Sequence, residues 1–115
     1  MIIVTTDQIP GRRIVQALGM VKGNTVRACH AGDDLMAFLK NLVGGELAEY
    51  TQVISQAREQ ALDRMAQEAR ELGGNAVVGL RFTTGYVTQG AAEILAYGTA
   101  VVADDQPDTA ESRTV

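Results

Sequence analysis

The chain has 115 residues, of which 46% are hydrophobic, 21% are charged and only 4% are aromatic. This length suits one domain with an aliphatic core and excludes two independent domains. The net charge is −4, and residues 104–115 account for −3, because Asp104, Asp105, Asp108 and Glu111 outweigh Arg113. A nearly neutral folded part lacks the basic surface that phosphate backbones require. We therefore expect no nucleic acid among its partners.

The N-terminus, MIIVTTDQIP, has neither the basic segment nor the long apolar core of a secretory signal. No stretch approaches the ~18 consecutive apolar residues of a membrane span. Cys29 is the only cysteine, so no internal disulfide can form and a reducing compartment fits best. The sequence predicts a cytoplasmic protein that does not enter a membrane.

Two extended segments are predicted near the N-terminus. Residues 2–6 are β-branched throughout and predict a short strand that ends before the turn at Pro10-Gly11. Residues 13–30 combine β-branched side chains with glycines, which favours a long strand that bends or bulges. A hairpin that turns at residues 22–24 is the alternative interpretation.

Two helices are predicted to follow. The first is short and ends at Gly44-Gly45, since glycine adopts the left-handed conformation without a Cβ clash. From about Glu46, apolar residues recur with a mean spacing of about 3.6, the α-helical period, until Gly73-Gly74. At 1.5 Å per residue this second helix would be roughly 40 Å long, so it needs a sheet or a neighbouring subunit to lie on. Its apolar positions are Leu47, Tyr50, Ile54, Ala57, Ala61, Met65, Ala69 and Leu72.

The last two predicted strands, residues 75–84 and 93–103, are joined by a loop around residues 85–91. If Gly79 lies opposite Gly98, small side chains collect on one face of this strand pair and let the long helix approach closely. The fold class predicted is α+β, with one long helix on an antiparallel sheet.

The other face of the strand pair would be apolar, and nothing left in the chain would cover it. It would contain Val78, Leu80, Phe82, Leu95 and Tyr97. An exposed apolar face of this kind usually marks an interface. We therefore predict a homo-oligomer, most simply a closed ring, with Leu80, Phe82, Leu95 and Tyr97 in the subunit interface.

The candidate metal ligands are Cys29 and His30, the only cysteine and the only histidine. Thiolate and imidazole suit zinc or copper, but a metal needs three or four such ligands, and one subunit cannot supply them. Identical copies around a ring could bring several together. The competing and favoured interpretation is an incidental cysteine beside a surface histidine.

Catalytic constellations are absent from the sequence. Asp33 and Asp34 could form a carboxylate pair, but one of them is more simply explained as a helix cap. KGNTVR lacks the ending of a phosphate-binding loop, and no Ser/His/Asp or Cys/His arrangement has supporting spacing. We therefore predict that the protein is not an enzyme.

Domain organisation is simple in this interpretation. Residues 1–103 form one domain, and residues 104–115 form an acidic tail that contains Pro107 and is expected to be disordered.

Three motifs together resemble the YbjQ family of small prokaryotic proteins. In order they are LVGGELAEYT, AREQALDRMAQEARELGGNAVVGLRF and AAEILAYGTAVV. The resemblance covers residues 1–103. It implies a β-α-β-β subunit with a dodecin-like two-layer arrangement, assembled as a pentamer that sometimes pairs into a decamer. It also implies binding of a divalent heavy-metal ion, with no established biochemical activity.

Two positions depart from the family pattern. Gly74 stands where the junction more often has alanine, and Thr83 stands where many relatives have an acidic residue, so a possible oxygen ligand is lost. The leading hypothesis is a ring-shaped binding module for a metal or small ligand held between subunits. The alternatives are an adaptor oligomer that recruits a protein partner and, third, an enzyme acting at a subunit interface.

Overall fold

The computed structural model describes residues 1–28, 48–88 and 91–105. In this part of the chain four strands form one sheet, in the order β1-β3-β4-β2, and helix α1 packs on one of its faces. Strand β4 is antiparallel to both of its neighbours, β2 and β3, and β1 joins β3 in parallel. The predicted two-layer α+β class is confirmed. The elements are β1 (Ile2–Ile3), β2 (Arg13–Ala28), α1 (Ala48–Glu71), β3 (Ala76–Thr88) and β4 (Ala91–Asp104).

Strand β2 is a single strand of 16 residues. Its pairing with β4 shifts between Ile14 and Gln16 and again between Ala17 and Gly19. Gly19 has a φ of +123°, which a residue with a side chain rarely adopts. The predicted bulged strand is therefore confirmed, and the alternative hairpin is wrong, because pairing with β4 continues unbroken from Gly19 to Ala28.

Helix α1 has 24 residues and is about 36 Å long. It ends where the glycine pair predicts. Gly73 has a φ of +90°, its N–H donates to the carbonyl of Arg70, and the N–H of Gly74 donates to the carbonyl of Ala69, both at 2.9 Å. This pair of hydrogen bonds is the Schellman cap, which satisfies carbonyls that the helix itself leaves unpaired.

Helix α1 lies unusually close to strand β2. A Cβ at Gly23 would be 2.2 Å from the carbonyl oxygen of Ala61 and 2.3 Å from the nitrogen of Met65. The helix presents three alanines and Met65 to the sheet, and these are buried together with small and β-branched residues of the strands. The buried members of this core are Val21, Ala57, Ala61, Met65, Ala69, Val77, Ile94, Ala96 and Ala100.

The N-terminal segment covers one end of the opposite sheet face. Ile9 is buried there in a second cluster with Ala76, Val78, Val101 and Ala103. The expectation that nothing in the chain covers this face is therefore wrong at this end. The first strand, Ile2–Ile3, is also shorter than predicted, although backbone hydrogen bonds to β3 continue at Val4 and Thr6.

A β-bulge in β3 changes which residues share a face. Val78 pairs with Thr99 and Arg81 with Tyr97, so Gly79 and Leu80 together oppose Gly98. Gly79 supplies the positive φ, +65°, that such a bulge uses. An extra residue reverses the side-chain alternation beyond it.

The predicted common face of Leu80, Phe82, Leu95 and Tyr97 is consequently wrong. Leu80 packs against the helix-side core, and Phe82 pairs with Ala96 and shares its helix side. Only Leu95 and Tyr97 lie on the far side of the sheet. Their place in a subunit interface stays a prediction for all four residues.

Both hairpin strands are longer than predicted. Strand β3 runs to Thr88 and β4 begins at Ala91, so most of the loop predicted around residues 85–91 is strand.

The predicted tail begins within β4. This strand includes Asp104, which accepts a hydrogen bond from Arg13 at 3.0 Å, and Arg12 pairs with Asp105. The rest of the predicted tail, residues 106–115, and the short first helix lie outside the described residues.

The close helix–strand contact gives a stability prediction. Gly23→Ala should lower the free energy of unfolding by about 2–3 kcal/mol, because the new methyl group meets backbone atoms that cannot rotate away. Urea unfolding at one fixed protein concentration measures this. Gly85→Ala is the matched control: a Cβ there meets nothing within 4 Å, and we expect a change within about 0.5 kcal/mol. Equal effects at the two positions would contradict the packing described for Gly23.

Candidate subunit interface

The sheet has two open edges among the described residues. Strand β2 forms one edge along its whole length. At the other edge β1 pairs only with Ala76 and Val77, and the N-terminal segment reaches only as far as Leu80, whose N–H donates to the carbonyl of Val4 at 3.0 Å. The backbone groups of an open edge are ready to pair with another chain.

Among the described residues, nothing covers the helix side of β3 beyond its bulge. Helix α1 lies over β2 and β4 and hardly reaches β3. Phe82, Thr84 and Tyr86 alternate along this side, and we call them the β3 strip. Phe82 is 39% exposed and Tyr86 is 91% exposed. An exposed aromatic residue of this kind is typical of protein interfaces.

The far face of the sheet has a second uncovered patch. Leu95 and Tyr97 are half-buried there, beside Met20, which is 68% exposed, and Val26. The patch is framed by polar groups, such as the amide of Asn24, which donates to the carboxylate of Glu93 at 3.0 Å. Two of the four predicted interface residues thus lie in an apolar patch on this face.

Helix α1 also exposes apolar residues near its start, at Val53 and Ile54. Val53 shares one flank of the helix with Gln60 and Arg64, which are seven and eleven residues further on. These two polar side chains reach β2: Gln60 accepts from Arg27 at 3.0 Å, and Arg64 donates to the carbonyl of Asn24 at 2.6 Å. This flank therefore faces the β2 edge of the sheet.

Two buried polar atoms lie where this flank meets β2. The hydroxyl of Thr25, a residue only 3% exposed, and the Nε of Arg27 have no hydrogen-bond partner in the described part of the chain. A buried polar group without a partner costs about 1–3 kcal/mol. The arrangement marks a polar site under the first half of α1.

The described residues test only part of the metal-ligand predictions. Cys29, His30, Asp33 and Asp34 lie outside the described residues. Within the described ranges, no group of three or more His, Cys, Asp or Glu residues could hold a metal ion. Thr83 is exposed and pairs with Leu95 on the far side, where a hydroxyl is a poorer ligand than a carboxylate. The described part of one subunit does not fit a metal.

Tyr86 and Val53 are exposed residues whose place on the surface the sequence pattern does not predict. Tyr86 lies between Gly85 and Gly90, and this composition favoured a loop. The alternation of Phe82, Thr84 and Tyr86 was the available signal for a strand. Val53 directly precedes Ile54, a member of the predicted apolar face of the helix. The helical period therefore does not mark Val53 as part of an apolar surface.

No helix in the described residues is long and apolar enough to cross a membrane.

Several known proteins are similar to this chain in sequence. A family model described as putative heavy-metal-binding matches residues 1–104. The UPF0145 protein of Archaeoglobus fulgidus is 57% identical over 100 residues, covering 87% of this chain and 93% of its own. The UPF0145 protein of Thermus thermophilus is also 57% identical over 100 residues, covering 87% and 88%.

A solved structure is similar as well. The crystal structure of a DUF74-family protein of unknown function from Pediococcus pentosaceus superposes with a TM-score of 0.64. It has 18% sequence identity and covers 90% of this chain and 98% of its own. At this identity the likeness shows the shared fold.

The unpartnered hydroxyl gives a prediction for the buried polar site. Thr25→Val should raise the free energy of unfolding by about 1 kcal/mol, because valine keeps the shape and removes a buried group without a partner. Thr25→Ser, the control, keeps the hydroxyl and loses a methyl group, so it should destabilise by about 1 kcal/mol. Thermal and urea unfolding measure both. Destabilisation by valine would show that the hydroxyl has a partner beyond the described residues.

Proposed function

The chain belongs to the YbjQ family, which is described as putative heavy-metal-binding, and on this basis we propose that it is a cytoplasmic homo-oligomeric binding protein for a divalent heavy-metal ion. The oligomer is a closed ring, a pentamer that can pair into a decamer. The metal is held between subunits. The protein binds its ligand and does not transform it.

One observation supports the proposed oligomer: the two open edges of the sheet are formed by different strands. A dimer about a two-fold axis pairs an edge with its own copy and leaves the other edge open. Pairing unlike edges head to tail, with a rotation that closes, leaves no edge at all. This supports a ring.

The shape of the subunit supports the same proposal. The described residues have principal extents of 60 × 30 × 16 Å and a radius of gyration of 18.7 Å. A compact domain of about 100 residues has a radius of gyration of about 13 Å. A long thin slab buries little of its own surface, so its stability depends on neighbours.

The metal part of the proposal rests on the family description and on the chemistry of the ligand candidates. Cys29 and His30 are ligands that soft divalent metals prefer. Since the described part of one subunit contains no group of three ligands, the remaining ligands come from a second subunit or from the segment that follows β2.

A second candidate function is an adaptor ring without metal. The charge of −3 on residues 104–115 would suit docking to a basic protein, because opposite charges steer and orient partners.

Native mass spectrometry combined with elemental analysis separates the two candidates. On the untagged chain purified without chelator, we expect an oligomer with stoichiometric metal that is lost in Cys29→Ser and in His30→Ala. Gln52→Ala, an exposed change on the helix, is the control and should keep its metal.

The other outcomes are equally informative. A metal-free oligomer contradicts the metal proposal and favours the adaptor. Metal retained in both ligand variants contradicts the assignment of Cys29 and His30. A monomer at micromolar concentration contradicts the ring.

A further inference from the structure

We propose that the β3 strip of one subunit docks against the β2-edge flank of helix α1 in a second copy of the chain, with Tyr86 of one subunit against Val53 of the next. This inference rests on the proposed oligomer and specifies which surfaces form it. Both surfaces are exposed in the subunit, and each exposes apolar side chains.

Strand directions decide how the edges meet. Strands β2 and β3 both run antiparallel to β4, so they are parallel to each other. A rotation axis along the strands preserves their direction and places β3 of one copy beside β2 of the next, again in parallel. The sheet then continues from subunit to subunit. A pair of like edges would be antiparallel and would stop after two copies.

The position of α1 explains why the helix takes part. Within one subunit, β3 lies two strands from β2, about 10 Å away, and α1 does not cover the strip. A neighbour's β3 would lie only one strand beyond β2, about 4.8 Å away. The helix lies directly over β2 at Gly23. It is therefore closer to the neighbour's strip than to its own.

The two surfaces lie at matching positions along the strand direction. Gly23 pairs with Ala96, which pairs with Phe82, and Ala61 lies over this row. Val53 is eight residues before Ala61, or about 12 Å along the helix.

Tyr86 is four residues beyond Phe82, or about 13 Å along the strand. Because α1 runs back along β2, both displacements point to the hairpin end of the sheet. A rotation about an axis along the strands does not change positions along the strand direction. Val53 thus arrives level with the neighbour's Tyr86.

The chemistry of the two surfaces also matches row by row. At the level of Phe82, the flank presents Arg64, and a guanidinium over an aromatic ring is attractive. At the level of Thr84, it presents the amide of Gln60, which can hydrogen-bond a hydroxyl. At the level of Tyr86 it presents Val53, so that the most exposed aromatic ring gains an apolar partner.

Disulfide trapping tests this contact. In the Cys29→Ser background, the double variant Val53→Cys/Tyr86→Cys oxidised with diamide should give a ladder of covalent multimers on a non-reducing gel. Each single variant should give no covalent multimers. In an interface between two different edges, its cysteine would face a different residue of the neighbour and not a second cysteine. Val53→Cys/Thr83→Cys is the matched control, since Thr83 is on the same strand and the opposite face. It should form no ladder.

The native mass of each sample separates this inference from the proposed ring. If the protein is an oligomer but cross-links no more than the Val53→Cys/Thr83→Cys control, the inference is wrong and the proposed ring is not contradicted. Cross-linking by a single variant also overturns it, because that result indicates a two-fold interface. A monomeric mass overturns both.

A second variant keeps the proposal testable without engineered cysteines. Tyr86→Lys should weaken association by roughly tenfold or more, seen as a concentration-dependent shift to smaller mass in light scattering. Its circular dichroism should not change, since Tyr86 is 91% exposed in the subunit. Val87→Lys, a neighbouring exposed residue outside the strip, is the control. Equal association of the two variants overturns the assignment of Tyr86 to the interface.

Discussion

The close approach of α1 to β2 is the constraint on which the rest of the structure depends. Because Gly23 has no side chain, the backbone of the helix at Ala61 and Met65 can rest almost directly on the strand. This contact seats the helix on an edge strand instead of over the middle of the sheet. The alanines of the helix and strands, together with Met65 and the strand valines, then form a thin core, and none of the described elements covers the helix side of β3 beyond its bulge. The uncovered surfaces therefore follow from one glycine and the small residues around it.

Most of the fold could be predicted from the sequence, because its signals were local. The period of α1, the glycine pair that ends it and the β-branched run of β2 each depend on neighbouring residues only. The register of β3 was different. Whether Gly79 continues a strand or adopts a positive φ in a bulge depends on its partner strand, and glycine permits both. That single residue moved Leu80 and Phe82 to the helix side and changed half of the predicted interface.

The candidate site was less predictable than the fold for a physical reason. Interface residues are recognised by their exposure, and exposure depends on which element covers which face. The sequence indicated an uncovered apolar surface, but its location required the position of α1 on the sheet. Leu95 and Tyr97 were placed on the correct face because β4 has no bulge between Ala91 and Gly98 in its pairing with β2. Tyr86 is not predicted as a strand residue, because glycines on both sides of it are typical of a loop.

The strand arrangement also limits how a ring could bind metal. If each subunit contributes three long strands, the β2 ends of adjacent copies, at Ala28, would be about 14 Å apart around the sheet. A zinc ion holds its ligands at about 2.0–2.3 Å. Residues that follow β2 directly in sequence, as Cys29 does, would therefore be poorly spaced to share one ion with their own copies. The element that an unlike-edge junction places beside the β2 end is the neighbour's hairpin, from Tyr86 to Ala91. Residues 86–91 read YVTQGA and offer hydroxyl and amide oxygens but no thiolate, imidazole or carboxylate. Under this junction, the ligands that join Cys29 and His30 would therefore come from the segment that follows β2 and not from the neighbour's hairpin.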